Sequence, residues 1–201
     1  MLSKINFRLL TNALIFQVAW FICVQGNNLH AIWATLSLLA LHLMLFKINV
    51  IQHIKTSLLL LSFCLAGFLG DSLVAAAVYL TYSNNLGSES VAAIPLISIL
   101  PINSSTTFGP AWLLCLWISF STTMNHSMNW LFQSPTISFL TGLLLVPLSY
   151  IAGIKLSGSI LLSPYWQFYI LEGLWWAVLL SAYQKLNIVK NISQKKEGSH
   201  V

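Results

Sequence analysis

The chain alternates long apolar runs with short polar breaks. Six runs approach the roughly 20 residues that a helix needs to cross a bilayer core: about Phe7 to Val24, Leu29 to Phe46, Thr56 to Tyr82, Ala111 to Phe132, Thr136 to Ile154 and Tyr165 to Gln184. This pattern predicts an all-α fold, a polytopic transmembrane helical bundle of six spans forming one domain over residues 1–184, with a basic tail over 185–201. The one long connection, residues 83–110, contains an apolar stretch from Val91 to Ile102 broken by Pro95 and Pro101. A stretch that short, with two prolines, does not make a seventh span and reads as a loop packed on the helix ends. The lysine-rich tail reads as unstructured chain that fixes orientation.

Within the fourth run, Cys115, Ser119, Thr122, Asn125, His126 and Asn129 recur at three- and four-residue spacing along one side of a helix. Leu113, Trp117, Phe120, Met124 and Leu131 occupy the other side. Amide and imidazole groups are costly in hydrocarbon, so the polar side is expected to face other helices and the apolar side to face lipid.

Composition agrees with the pattern. Of 201 residues, 57% are hydrophobic and only 6% are charged, against about 25% charged in an ordinary soluble domain. The net charge of +5 raises nucleic acid as a partner, but the basic residues lie between apolar runs and form no basic face, which excludes that class. Their placement instead sets a topology. With the N-terminus inside, Lys4, Arg8, Lys47, Lys55, Lys185, Lys190, Lys195 and Lys196 are cytoplasmic and Lys155 alone is outside, a strong positive-inside bias with both termini cytoplasmic. Tyr82, Trp112, Tyr165 and Trp166 are expected as aromatic anchors at the outer interface, and Trp130 and Tyr183 at the inner one. Val24-Gln25-Gly26 makes a poor cleavage signal, so the first run reads as an uncleaved span. Cys23, Cys64 and Cys115 all fall inside spans without metal-ligand spacing and read as small core residues.

Depth sorts the polar groups within spans into two layers. At about 1.5 Å per residue, Asp71 lies about 22 Å from the inner edge of a core about 30 Å thick, and Glu172 about 10 Å from its outer edge. These are the only acids within spans, each costing about 2.5 to 3.5 kcal/mol at mid-helix, and are functional candidates for that reason. Lys155, at the outer end of the fifth run, is a candidate partner. Asn12, His42, Asn125 and His126 lie about 6 to 10 Å from the inner edge and, with Thr122 and Asn129, make a candidate second layer. Small residues mark close approaches: Cys64, Gly67, Asp71 and Ala75 share one face of the third helix, Gly173 adjoins Glu172, and Pro147 predicts a kink in the fifth helix.

No Gly-rich phosphate loop, GxSxG, HExxH or run of acids for magnesium appears. The sequence therefore assigns no cofactor, metal or catalytic residue, and His42 and His126 read as core groups in preference to haem ligands. Taken together, Phe16 to Gly26, Gly70-Asp71-Ser72-Leu73, Pro110-Ala111-Trp112 with Leu116-Trp117, Phe120 to Thr123 with Asn125-His126-Ser127, and Pro147, Tyr150 and Gly153 resemble a family of small bacterial inner-membrane proteins, the domain of unknown function 2878 family. The resemblance covers about Phe7 to Gln184. It implies a multi-pass protein of the bacterial inner membrane, without assigned chemistry. Family genes often lie beside genes for fatty-acyl modification and short-chain oxidoreductases, which implies an accessory role in a membrane-lipid or envelope-maintenance pathway, with membrane lipids and lipid-pathway proteins as partners. A small proton-coupled permease and an intramembrane lipid-modifying enzyme remain open as alternatives.

Overall fold

The computed structural model describes residues 7–25, 28–47, 54–77, 80–81, 109–158, 160–161 and 165–197. The expected loop packing of 83–108 lies outside the described residues, as do the last residues of the tail, 198–201. In chain order the elements are α1 (Phe7–Gln25), α2 (Asn28–Phe46), α3 (Ile54–Ala77), β1 (Leu80–Thr81), α4 (Ala111–Met124), a 3-10 segment (Asn129–Gln133), α5 (Pro135–Leu140), a π-helical turn (Thr141–Leu145), α6 (Val146–Ser157), β2 (Ile160–Leu161) and α7 (Tyr165–Glu197). Leu80 and Thr81, expected at the end of the third helix, instead pair antiparallel with Leu161 and Ile160.

The short helix α4 is the axis of the bundle and packs against α1, α2 and α3. Its expected lipid-facing side is overturned: Leu113, Trp117 and Met124 are buried, as is Leu131 beyond the helix. Among the described residues, large exposed apolar side chains come from the other helices and from the 3-10 and π-helical segments, and none of them from α4. A helix enclosed by others presents every face to protein, so its apolar side meets the bundle core and its polar side the α1–α2 seam. Trp112, expected as an interface anchor, is buried for the same reason, and Tyr183, also expected as an anchor, is buried against Phe63 and Phe132, whereas Trp130 and Trp166 are exposed.

Polar side chains on neighbouring helices hold α4 in register. Asn28 Oδ1 accepts from the Trp112 backbone N–H at 3.1 Å at its start. Midway, Thr35 Oγ1 donates to the Cys115 carbonyl at 3.3 Å and lies 3.1 Å from Ser119 Oγ. The helix ends at Met124, eight residues before the expected Phe132. Three consecutive hydroxyls, Ser121, Thr122 and Thr123, donate back to the carbonyls of Ile118, Ser119 and Phe120, a pattern that competes with the helical ladder. Asn125 then closes the helix with φ −90° and ψ 3°, and the chain turns through His126 and Met128, whose N–H groups both donate to the Thr123 carbonyl. Irregular backbone of this kind is tolerated at membrane depth only where protein surrounds it.

Among the described residues, four helices are long and apolar enough to cross a membrane: Phe7–Gln25, Asn28–Phe46, Ile54–Ala75 and the combined Pro135–Ser157. In the last of these, Pro147 has no N–H to offer the carbonyl four residues back, and the ladder relaxes into the π-helical turn just before it. α7 packs directly on this irregular turn. A Cβ at Gly142 would fall 2.4 Å from the Ala177 backbone nitrogen, and one at Gly173 would fall 2.8 Å from the Leu143 carbonyl oxygen. Two glycines, one on each helix, thus let the two backbones approach closely. α7 itself runs on to Glu197, so most of the basic tail is helix and not the unstructured chain expected.

Candidate functional site

Asp71 is the centre of the candidate site. The small-residue face of α3 admits the indole of Trp117 from α4: a Cβ at Gly67 would fall 2.2 Å from Trp117 Cη2, and Cys64 Sγ reaches the Trp117 carbonyl at 3.4 Å. Seated there, Trp117 Nε1 donates to Asp71 Oδ2 at 2.9 Å. Tyr150 of α6 donates its hydroxyl proton to the same oxygen, and Trp176 Nε1 of α7 donates to the Tyr150 hydroxyl at 3.3 Å. The rings of Trp117 and Trp176 stack at 4.4 Å between centroids, 19° from parallel. A fully buried carboxylate is thereby held by donors from two helices, with a third helix fixing one of those donors, which offsets part of its desolvation cost.

Glu172 of α7, also 0% exposed, brings its carboxyl against that of Asp71. Among the described residues its two oxygens have no further hydrogen-bond partner. Two neighbouring buried carboxyls repel each other when both are charged, so the pair is suited to holding a proton or receiving a cation. The two acids placed at similar depth from the sequence are therefore brought together. Lys155 is not: its side chain is exposed on the last turn of α6, as expected of a long cationic chain that reaches water in preference to a dry core.

Asp71 also forms part of the wall of a cavity of about 330 Å³ between α1, α4 and α6. One end carries Val24, Trp112 and Ser157, and the other Met128, Trp130 and Leu145. Most of the wall is aromatic or aliphatic, and among the described residues Asp71 is its one charged side chain. A wider, more open groove of about 700 Å³ lies between α1 and α2. Its walls are largely outward-facing apolar side chains such as Val18, Phe21 and Trp33, the surface expected to meet lipid tails, and among the described residues no buried acid lines it.

The second layer divides. Asn12 Nδ2 lies 3.3 Å from His42 Nδ1 and 3.5 Å from the Thr122 carbonyl, and Asn12 Oδ1 accepts from Ser127 Oγ at 2.8 Å. His42 and His126 meet edge to face at 4.8 Å, and Phe46 stacks on His126 at 3.7 Å. Asn125 is directed elsewhere and accepts from the Tyr183 hydroxyl at 2.9 Å. Asn129 is exposed. The end of α4 rotates both away from the face that a continuous helix would give them. Among the described residues, no group of three or more His, Cys, Asp or Glu is placed to hold a metal ion.

Sequence reasoning missed Trp117, Tyr150 and Trp176, the side chains that serve Asp71. Trp117 was assigned to lipid, and Tyr150 stood out only within the family pattern. Both occur in a stretch matched by a known family profile: residues 9–182 match the family described as Protein of unknown function (DUF2878). The chain belongs to this family. The match spans every helix, from α1 to the core part of α7, so Asp71, Glu172 and the crevice lie wholly within the DUF2878 region. Neither the curated proteins nor the solved structures supply a match.

Proposed function

We propose that this DUF2878 protein is a six-pass protein of the bacterial inner membrane, with both termini cytoplasmic, that serves a membrane-lipid pathway by holding one lipid chain in the crevice beside Asp71. The observation that carries this reading is the crevice itself. Its volume of about 330 Å³ sits at the low end of the range of about 300 to 1,000 Å³ for small-molecule sites, which suits one chain better than a two-tailed lipid. Its wall is apolar and aromatic along most of its length, with Asp71, Tyr150 and Ser149 grouped as a polar station and Gln17, Thr141 and Ser157 as further polar side chains. Such a wall favours an aliphatic chain and fixes one polar group along it.

The test is a lipidomic comparison of a deletion strain with strains restored by native protein or by Leu116→Trp, which fills the crevice from α4. Membrane levels of both proteins are checked by blot. Native protein is expected to restore the lipid profile and the folded variant to leave it altered. An unchanged profile in the deletion strain across growth conditions overturns the reading.

A second reading, a proton-coupled permease, is favoured by the carboxyl pair of Asp71 and Glu172 in the bundle interior. It expects flux in proteoliposomes that Asp71→Asn or Glu172→Gln abolishes in a folded protein. An intramembrane enzyme differs from the lipid-holding reading in one respect, a chemically altered product from purified protein and lipid alone.

A further inference from the structure

The charge of the crevice wall narrows the class of lipid. Among the described residues Asp71 is its single charged side chain, and its polar neighbours there, Gln17, Thr141, Ser149, Tyr150 and Ser157, are all neutral. The basic side chains described, Arg8, Lys47, Lys55, Lys155 and Lys185, are all exposed, and none lines the crevice. An anionic head group would meet a carboxylate with no ammonium or guanidinium in the wall. Both donors to Asp71, Trp117 Nε1 and the Tyr150 hydroxyl, converge on Oδ2. These two hydrogen bonds fix the carboxyl of Asp71 in place beside the crevice.

Aromatic rings supply the second element. Trp20, Trp112, Trp117, Phe120, Tyr150 and Trp176 all contribute to the wall. Indole and phenol rings attract cations through their quadrupoles, most strongly where water is excluded, and quaternary ammonium groups are recognised by such rings. An acid among tryptophans in an apolar slot is complementary to one kind of guest.

We infer that the crevice binds a membrane-resident single-chain lipid amine, with its cationic head against the rings of Trp117, Tyr150 and Trp176 beside the buried Asp71, and its chain directed toward Leu145 and Met128. This inference rests on the lipid-holding reading above and adds the charge of the head group. The polarity of the wall sets the direction of the chain. Ser149, Tyr150 and Ser157 follow one another along α6 from Asp71 toward the Trp112 end, whereas the opposite end is built from Met128, Leu131, Leu145 and Leu180 with Thr141 as its one hydroxyl.

The test compares three probes with the same dodecyl chain and different heads, namely dodecyltrimethylammonium, dodecanol and dodecanoate. Each is titrated below its micellar concentration into the purified full chain in nanodiscs, with empty nanodiscs as the partition control and tryptophan fluorescence as the signal. The cation is expected to bind about tenfold tighter than the alcohol, and the carboxylate weakest. Asp71→Asn is expected to remove the advantage of the cation while leaving alcohol binding in place. Should Asp71→Asn not fold, Ser149→Lys serves in its place, because Ser149 is exposed at the crevice wall and an ammonium there is expected to reverse the order of cation and carboxylate. Equal binding of the three probes, or tightest binding of dodecanoate, overturns the head-group inference and leaves the lipid-holding reading standing. Binding of none of them above empty nanodiscs overturns both.

Discussion

A methyl group added at Gly67 tests whether the α3–α4 contact is what holds the donor to Asp71. The new carbon would lie 2.2 Å from Cη2 and Cζ3 of Trp117 and 2.4 Å from Cζ2, so helix or indole must move by more than about 1 Å to reach ordinary contact. The indole has little room to comply: it is stacked on Trp176 at 4.4 Å and bordered by Phe63 at 5.5 Å and Phe120 at 6.2 Å. A shift of that size takes Nε1 out of reach of Asp71 Oδ2, now 2.9 Å away. Overpacking costs about 1 to 3 kcal/mol and loss of a hydrogen bond to a carboxylate about 1.5 to 3, against a helix-propensity gain of up to about 1, so Gly67→Ala should destabilise by about 2 to 5 kcal/mol. The assay is reversible unfolding in mixed micelles followed by tryptophan fluorescence. Trp117→Phe, which removes both the clashing ring and the donor, should reduce the cost of Gly67→Ala, with a coupling of at least about 1 kcal/mol in the double-mutant cycle. A glycine that merely faces lipid would give the opposite sign, a gain of up to about 1 kcal/mol on becoming alanine. A stabilised or unchanged variant, or strictly additive costs, would refute the reasoning.

Two further perturbations probe the frame around the site. Gly142→Ala drives a Cβ to 2.4 Å from the Ala177 backbone, where no side chain can swing aside, and should cost about 3 kcal/mol or more, or abolish folding. Gly153→Ala, whose nearest neighbour would be Trp20 Cζ2 at 3.9 Å, should lie within about 1 kcal/mol of the native protein; the two melting curves from micelles decide it, and equal losses would count against the packing argument. At the other polar layer, Asn12→Ala removes the partners of His42, the Thr122 carbonyl and Ser127 and should cost about 2 kcal/mol at the about 0.6 kcal/mol typical of such pairs in membranes. Asn129→Ala, at an exposed position, should leave the unfolding midpoint unmoved, and a larger loss there than at Asn12 would sink the assignment.

Much of the helical frame was legible because burial in a bilayer writes itself as length. The runs beginning at Phe7, Leu29 and Ala111 start within a residue of helices α1, α2 and α4. What the pattern misjudged is the direction each face points. Period alone tells which residues of α4 share a side, and Cys115, Ser119 and Thr122 do lie on the seam toward α1 and α2. It does not tell whether the other side meets lipid or protein, since both reward Leu, Trp and Met equally. The end of α4 was misread for a related reason: Asn125 to Asn129 continue the spacing of a helix, but hydroxyl back-bonding at Ser121 to Thr123 makes ending there inexpensive.

The acids and the donors to them differ in the same way. Asp71 and Glu172 announced themselves because a carboxyl in hydrocarbon has no harmless explanation, and depth arithmetic from the helix ends put them level. Their neighbours are aromatic, and an indole or phenol in a span reads as filler until its N–H or O–H is seen to have a partner. The clue that distinguishes Trp117 lies on another helix, in Gly67, and a cavity for a ring is written as the absence of a side chain. Gly70 repeats the device for Trp175, whose Nε1 and Cε2 would fall 2.1 and 2.0 Å from a Cβ there. Two glycines three residues apart on α3 thus admit tryptophans from α4 and α7 on either side of the turn that ends at Asp71. A small residue in a membrane helix one turn from a buried acid is for this reason worth reading as the seat of that acid's hydrogen-bond donor, and Gly67→Ala is where that reading is most exposed to refutation.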